Sequence, residues 1–304
     1  MILSSKTLGL GLAFIAVVVF GSTLPVTRLV LVHFDPWFIT AVRALSAALA
    51  ALAVLVAMRR RLPDPRHWPT LVVISLCLVL GFPAFTAVAM ETVPAAHGGV
   101  VLGILPLATA VAATLINGER PSGLFWLFAA LGSGLVLVFT LSGENTAYHA
   151  GDLLLLGATA SAAIGYTLSG RLSHHMPGWE VISWALIVAL PLAVFATWSL
   201  WPPEAATAPA SGWLLVGFLG LMPQYLAFFG WNAGMVMSGV ARVSQVQLLQ
   251  TFVTIGFAAL LVGERIDMAT LLFATAVVAT VALGSRTRVV RASQDRVPPE
   301  RKTG

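Results

Sequence analysis

Long apolar runs alternate along the chain with short polar or proline-containing stretches. A helix of about 20 apolar residues crosses a membrane core of about 30 Å. Hydrocarbon offers the backbone no water to bond, so each run is expected to form a helix. The pattern therefore predicts an all-α integral membrane protein with ten membrane-spanning helices, numbered here as spans one to ten: 8–31, 37–57, 68–90, 94–116, 122–141, 151–170, 178–199, 212–234, 241–262 and 267–284.

One stretch of this pattern occurs twice, at residues 96–120 and 241–265, with a constant offset of 145 positions. Both copies end in Gly-Glu-Arg, which is uncommon by chance in a chain with 10% charged residues. The repetition indicates a duplicated unit, with one five-helix repeat at 1–145 and another at 146–290. Because five is odd, the second repeat must be inserted upside down. Inverted repeats around a central midplane cavity are typical of secondary transporters.

The composition agrees with a membrane location, because 58% of the residues are hydrophobic and the mean hydropathy is +0.92. The net charge of +5 could suit a nucleic-acid binder, but with ten spans 14 of the 17 Lys and Arg residues fall on the side that holds both termini. Such an excess marks the cytoplasmic face. We therefore expect cytoplasmic termini, contact with membrane lipid and no nucleic-acid partner. Residues 291–304 lack an apolar period and are predicted to form a disordered cytoplasmic tail.

Three prolines are candidates for hinges or structural kinks. Pro25 lies in span one, Pro83 in span three and Pro223 in span eight. Proline has no amide proton, so each residue removes one backbone hydrogen bond from its helix. In a membrane, neighbouring helices or Ser and Thr hydroxyls must compensate. Each proline is therefore either a static kink or a gating hinge.

Arg43 lies six residues into span two. An arginine at bilayer depth costs about 2.5 to 3.5 kcal/mol on insertion scales. The side chain should therefore find a partner inside the bundle, and Asp35 and His33 in the preceding turn are the nearest candidates. Arg43 is predicted to be either a structural anchor or a gate or substrate contact.

Span nine carries polar side chains at i, i+3, i+4 and i+7, which share one helical face: Gln247, Gln250, Thr251 and Thr254. The equivalent face of span four is mostly aliphatic: Leu102, Leu105, Pro106 and Thr109. The polar face serves either interhelical hydrogen bonding or as the wall of a cavity that is polar on one side and apolar on the other. Under the second interpretation, further amides and amphipathic aromatics would line the cavity: Gln224, Tyr225, Phe228, Trp231 and Asn232 on span eight, and Tyr166 on span six.

Acidic residues lie at the predicted span ends, which disfavours a central carboxylate for proton coupling: Glu91, Glu119, Glu180, Glu264 and Asp267. The Glu-Arg pairs of the two repeated endings are expected to cap helix ends and pair locally. The chain has one cysteine, Cys77, and its histidines lie at predicted span ends or in loops. We therefore predict no metal site and no cofactor.

The five-span repeats, the Gly-Glu-Arg endings, Pro106 in span four and Arg43 in span two resemble the drug/metabolite transporter superfamily, in its ten-span EamA-type branch. Within that branch the chain is most similar to aromatic amino-acid exporters of the YddG type. The steps Leu105-Pro106 and Tyr166-Thr167 match positions that line the central cavity of those proteins. The resemblance implies cytoplasmic termini and export across the bacterial inner membrane. Leu105 stands where a bulky aromatic is expected, which favours a broader range of neutral amino acids.

We therefore predict an inner-membrane secondary transporter that exports aromatic and other neutral amino acids, or related metabolites, by alternating access. It is expected to act as a monomer, because ten spans already supply both halves of the site. Three alternatives stay open: an exporter or facilitator of another small metabolite or drug-like compound, a substrate-gated channel, and an intramembrane enzyme. The enzyme would need a nucleophile with a base, or clustered metal ligands, which the pattern does not supply.

Overall fold

A computed structural model describes residues 5–118, 120–141, 150–238, 246–285 and 289–290. The described residues form helices and connections, with one addition to the all-α prediction. Arg120–Pro121 (β1) pairs antiparallel with Val289–Val290 (β2). The tail predicted to be disordered, residues 291–304, lies outside the described residues.

The helices follow the predicted apolar runs. They are α1 (Ser5–Gly21), α2 (Thr23–Val30), α3 (Pro36–Ala57), α4 (Trp68–Ile74), α5 (Phe82–Ala89), α6 (Ala95–Val101), α7 (Leu105–Asn117), α8 (Gly123–Leu141), α9 (Ala150–Leu172), α10 (Gly178–Ser199), α11 (Ala210–Leu221), α12 (Ala227–Ser238), α13 (Gln250–Phe257) and α14 (Met268–Ser285). Within the described residues, seven continuous helical rods are long and apolar enough to cross a membrane. Three shorter apolar helices cover the remaining predicted spans: Gly123–Phe139, Gln250–Val262 and Met268–Gly284.

Several rods are interrupted by short stretches with another helical hydrogen-bond pattern. π-Helical turns join α4 to α5 at Ser75–Gly81 and α11 to α12 at Met222–Leu226, and another follows α13 at Ala258–Val262. A 3₁₀ turn at Leu102–Ile104 joins α6 to α7. Three of the four interruptions contain or closely precede a proline, which cannot donate to the α-helical ladder. The irregular backbone is therefore a consequence of Pro83, Pro106 and Pro223 at those sites.

Both glycines of the repeated Gly-Glu-Arg endings terminate helices. Gly118 and Gly263 follow the last helical residue with φ angles of 69° and 73°. This left-handed conformation closes many helix C-termini, and a side chain there is strained. The repeated glycine therefore has the same backbone function in both copies.

The helices pack in pairs along the bundle: α1 with α12, α3 with α10, α8 with α14, α7 with α9, and α6 with α13. Fully buried alanines supply much of one core cluster, among them Ala44, Ala47, Ala48 and Ala51 on α3 and Ala185 on α10. Small residues let helices approach closely, which is the usual basis of helix association in lipid.

Large apolar side chains cover the outside of the bundle. Ile15 is 62% exposed, Leu115 80% and Leu260 82%. Apolar surface spread along helices in this way is unfavourable in water and is covered by lipid tails in a membrane. The fold is therefore that of a helical integral membrane protein.

Candidate functional site

A narrow cleft inside the bundle has two adjoining lobes, each with room for only about one or two water molecules. The lobes share six wall residues: Phe20, Thr23, Phe82, Leu102, Leu105 and Gln250. The first lobe extends between α6 and α13, and the second extends toward α3, α9 and the Met222–Leu226 turn. Because the space is narrow, the walls must part to admit a small molecule.

The cleft lies where helices are interrupted. Phe82 follows the π turn of the third predicted span, and Leu102 and Leu105 flank the 3₁₀ turn before Pro106. Gln224 belongs to the Met222–Leu226 π turn. Broken helices at membrane depth are tolerated where they line a cavity, and transporters bind their substrates at such breaks. The backbone therefore points to this cleft as the functional site.

Span nine, the repeated copy of span four, is also interrupted, but without a proline. The amide of Leu249 bonds to the carbonyl of Val246, three residues earlier, and α13 begins at Gln250. These residues lie 145 positions after the region of the first 3₁₀ turn, and Thr251 stands where Pro106 stands in the first copy. The interruption thus recurs in both copies although its sequence cause differs.

The polar face of span nine borders the first lobe. Gln247 and Gln250 are half-buried, whereas Thr251 and Thr254 are only 4% and 3% exposed. The threonines combine a methyl group with a hydroxyl group and lie beside the backbone of α6. The face therefore borders the cleft and also packs against the helix of span four.

Two glycines permit that helix contact. A β-carbon on Gly99 would lie 2.9 Å from Thr254 Cγ2, and one on Gly103 would lie 3.1 Å from Thr251 Oγ1. Both distances are shorter than ordinary carbon contacts. The GxxxG spacing on span four thus brings the two repeated helices together.

Most of the side chains predicted to line a cavity border this cleft: Gln247, Gln250, Thr251, Thr254, Gln224, Phe228, Tyr166, Leu105 and Pro106. Tyr225, Trp231, Asn232 and Thr167 are not among its wall residues. Tyr225 is 1% exposed and its hydroxyl lies 3.0 Å from Ser183 Oγ. Trp231 packs edge-on against Phe20, with 6.2 Å between ring centroids. The polar groups of aromatic side chains need partners when buried, and Tyr225 finds its partner in the helix core.

Of the predicted hinge and structural residues, Arg43 and Pro223 border the second lobe. Pro25 and Pro83 are buried in α2 and α5. Wall residues that were not predicted from the sequence include Phe20, Thr23 and Phe82. Each of them stands within five positions before Pro25 or Pro83, so the neighbourhood of the span prolines was the signal that could have identified them.

Arg43 does not find the partner expected for it. Asp35 accepts hydrogen bonds from the amides of Trp37 and Phe38, at 2.8 and 3.4 Å, and so caps α3. The ring of His33 packs near Phe34. Arg43 is 2% exposed, and its Nε and Nη1 are buried without a hydrogen-bond partner among the described residues.

At one end of the bundle, Glu264 does not act locally beside Arg265 as expected but caps a helix of the other half of the chain. Its carboxylate accepts hydrogen bonds from the amides of Ala95 and Ala96, at 2.7 and 2.9 Å, although these residues begin α6 far along the chain. Its Oε1 also lies 3.7 Å from Arg28 Nε, and Arg28 Nη1 donates to the Val93 carbonyl at 2.6 Å. A carboxylate is favoured at a helix N-terminus by the unpaired amides and the helix dipole.

Polar and charged contacts join the two halves of the chain at both ends. Beside Glu264, His97 Nε2 lies 2.8 Å from Asp152 Oδ1. At the opposite end, Arg60 Nη1 lies 3.2 Å from Glu180 Oε1, although the two groups are not aligned as a hydrogen bond. The guanidinium of Arg60 also lies over the ring of Trp179 at 5.1 Å. The cleft is therefore enclosed between two sets of charged contacts.

An internal cleft at broken helices, inside a bundle with an apolar exterior, is the arrangement of a multi-spanning membrane protein with a cavity between its helices. The chain belongs to the EamA-like transporter family, whose model matches residues 7–141 and 149–286. This family is part of the drug/metabolite transporter superfamily. Membership identifies the protein as a membrane transporter and not an enzyme.

Similar proteins agree with this assignment. The uncharacterized transporter YdeK of Bacillus subtilis (strain 168) is 36% identical over 273 residues, which cover 90% of this chain and 95% of that protein. A protein of Streptantibioticus cattleyicolor named "Probable terminal-alkyne amino-acid exporter" is 25% identical over 225 residues, covering 69% and 72%. A solved crystal structure, 21% identical, has the same fold, with a TM-score of 0.64 over 91% of this chain and 96% of its own.

Proposed function

We propose that this transporter exports aromatic and other neutral amino acids by alternating access, in which two five-helix repeats rock around the cleft. The observation that carries the proposal is the position of the cleft at the converging helix breaks, between charged contacts at both ends. A carrier exposes one site alternately to two sides, so each end must be able to close.

The helix contacts support a two-fold relation between residues 1–145 and 146–290. With the 145-residue offset, the packing of α7 against α9 has a counterpart in α13 against α1, and the packing of α5 against α9 has one in α12 against α1. The pairs α3 with α10 and α8 with α14 are their own counterparts. The family model also matches the chain in two segments of similar length. This pattern is expected of ten spans arranged as inverted repeats.

The chemistry of the walls supports an amphiphilic cargo. Gln247, Gln250 and Thr251 offer amide and hydroxyl groups, while Leu105 and Phe82 offer apolar surface. A mostly apolar pocket with a few placed polar groups suits a small molecule with a polar head and an apolar side chain. The relative named as an amino-acid exporter supports this class. Leu105, in place of an aromatic side chain, supports a wider neutral range than that of YddG-type exporters.

The proposed location is the bacterial inner membrane, with both termini and the Arg60 end of the bundle in the cytoplasm. This orientation follows the excess of Lys and Arg on that side. A monomer suffices because both repeats that form the cleft belong to one chain. Labelling of single cysteines near Arg171 and near Asp152 with an impermeant reagent tests the orientation, since these sites should react from opposite sides.

The test of function is counterflow of labelled phenylalanine, methionine and threonine in proteoliposomes. We expect saturable exchange of at least one of them, reduced by Gln250→Leu and Tyr166→Ala on the cleft wall. Leu260→Ala, on the lipid-exposed surface at 82% exposure, is the matched control and should exchange normally. Absence of flux for every amino acid overturns the substrate class, and flux that rises without saturation favours a channel.

A further inference from the structure

The second lobe contains a buried positive charge that no described residue neutralises. Arg43 is 2% exposed and borders this lobe, and its Nε and Nη1 have no hydrogen-bond partner among the described residues. Buried donors are nearly always satisfied, and a buried charge without a partner is more costly still. Such a group in a native fold requires an explanation.

The carboxylates whose side chains the structure describes are engaged elsewhere or exposed, and none of them contacts Arg43. The engaged carboxylates are Asp35, Asp64, Asp152, Glu180, Glu264 and Asp267, each bound to a helix N-terminus or a basic side chain. Glu91 is exposed, just after α5. Among the described residues Arg43 therefore has no anionic partner at the cavity. Arg28, Arg60 and Arg66 differ from it, because each of them forms an ion pair.

The rest of the lobe suits the remainder of a small organic acid. Gln224 donates through Nε2 to the Val79 carbonyl at 2.9 Å, which holds its amide in place at the wall. Gln250 contributes a second amide, and Leu78, Phe82 and Phe228 supply apolar and aromatic surface. One cation, neutral amides and apolar walls together match a molecule with a single carboxylate and an uncharged side chain.

We propose that the Arg43 guanidinium binds the carboxylate of the transported molecule. A carboxylate has two acceptor oxygens, and its hydrogen bonds to a guanidinium are among the strongest in proteins. Without a bound anion the unpaired guanidinium is energetically unfavourable in the bundle. Binding of a carboxylate pairs the charge and so lowers the free energy. This inference rests on the proposed transport of amino acids and names the group by which that site selects its cargo.

The first test compares matched ligands on the unaltered protein. Counterflow in proteoliposomes is measured for phenylalanine, methionine and threonine, and then for the carboxamides of whichever amino acids are exchanged. We expect the amide to be exchanged at least tenfold more slowly than its amino acid. Equal exchange of amide and acid overturns the role of Arg43 while the transport function stands. Exchange of no amino acid overturns both, so the two failures are distinguishable.

The second test separates substrate binding from a structural role. Arg43→Gln should reduce exchange at least tenfold, and Arg43→Lys should restore part of it. Removing an unpaired buried charge does not break an internal contact, so the Tm of purified Arg43→Gln should equal or exceed that of the wild type. The exchanged amino acid should raise the Tm of the wild type but not that of Arg43→Gln.

Arg66→Gln is the control, because Arg66 is 76% exposed and pairs with Asp64 in a loop. It should exchange normally. A fall in both Tm and exchange in Arg43→Gln, with the wild type moving acid and amide equally, identifies a structural anchor and refutes the proposal.

Discussion

Glu264 joins the two halves of the chain, and removing its carboxylate should loosen one end of the bundle. The carboxylate accepts two backbone hydrogen bonds at the start of α6, from Ala95 and Ala96. Hydrogen bonds to charged groups contribute about 1.5 to 3 kcal/mol each. The pair with Arg28, which is one-third exposed, adds about 0 to 1 kcal/mol. Water recovers part of this loss in Glu264→Ala, so we expect a net change of about 2 kcal/mol, at the upper end of helix-capping effects.

In the proposed transporter this loss favours opening at the Glu264 end. Since about 1.4 kcal/mol is tenfold in an equilibrium, the open conformer should become about 30-fold more populated relative to the closed one. The assay places a cysteine at Thr23, on the cleft wall, in a Cys77→Ser background. The measurement is its rate of modification by an impermeant maleimide added from outside. We expect faster modification in Glu264→Ala and an intermediate rate in Glu264→Gln.

Asp267→Ala is the matched control for Glu264→Ala. Asp267 lies three residues later and accepts a hydrogen bond from the Thr270 amide at 2.7 Å, within its own helix start. Its loss should weaken α14 locally without changing the modification rate at Thr23→Cys. Equal rates in the two variants would refute the idea that Glu264 holds the repeats together.

The packing of the bundle leads to three more predictions. Gly99→Val should lower the Tm, because the new side chain would overpack against Thr254 at a cost of about 1 to 3 kcal/mol. Gly134→Val is the control and should leave the Tm unchanged, because Gly134 faces open space. Equal Tm values for the two variants would contradict the close contact at Gly99. Gln250→Leu should reduce amino-acid exchange at least tenfold with an unchanged Tm, because Gln250 borders both lobes. Tyr225→Phe should lower stability by about 1 kcal/mol through the lost contact with Ser183 and leave exchange intact. Abolished exchange in Tyr225→Phe at a normal Tm would instead indicate that the Tyr225 hydroxyl contacts the substrate.

The helical membrane fold is predictable because its signal is local. Length and hydropathy define a membrane-spanning run without reference to the rest of the chain. The polar face of span nine is also predictable, since side chains at i, i+3, i+4 and i+7 share a side whatever packs against them. Helical spacing alone therefore puts Gln247, Gln250 and Thr251 on one side of the span.

The long-range partners are not predictable in this way. From proximity along the chain, Asp35 is the expected partner of Arg43. In the structure the Asp35 carboxylate instead accepts hydrogen bonds from the backbone amides at the start of α3, which lie closer to it. Glu264 is expected to act beside Arg265, but it caps a helix that begins about 170 residues earlier in the chain. Neither outcome follows from spacing, because both depend on which helix ends the fold brings together. The contact of the Tyr225 hydroxyl with Ser183 on α10 is not predictable for the same reason.

The two ends of the bundle differ in how firmly they are held, and this difference bears on the direction of transport. The Glu264 end has two charge-assisted backbone bonds and the mostly buried pair of His97 with Asp152. The opposite end has Arg60, which is 40% exposed and pairs with the mostly buried Glu180 beside Trp179. One partly exposed ion pair contributes less than two charge-assisted backbone hydrogen bonds. The Arg60 end therefore opens at the smaller cost, and in the proposed orientation it faces the cytoplasm. In the proposed transporter, the empty carrier therefore opens toward the cytoplasm, which is the side from which an exporter takes its substrate. Opening of the other end requires a free energy that differential binding of the cargo can supply.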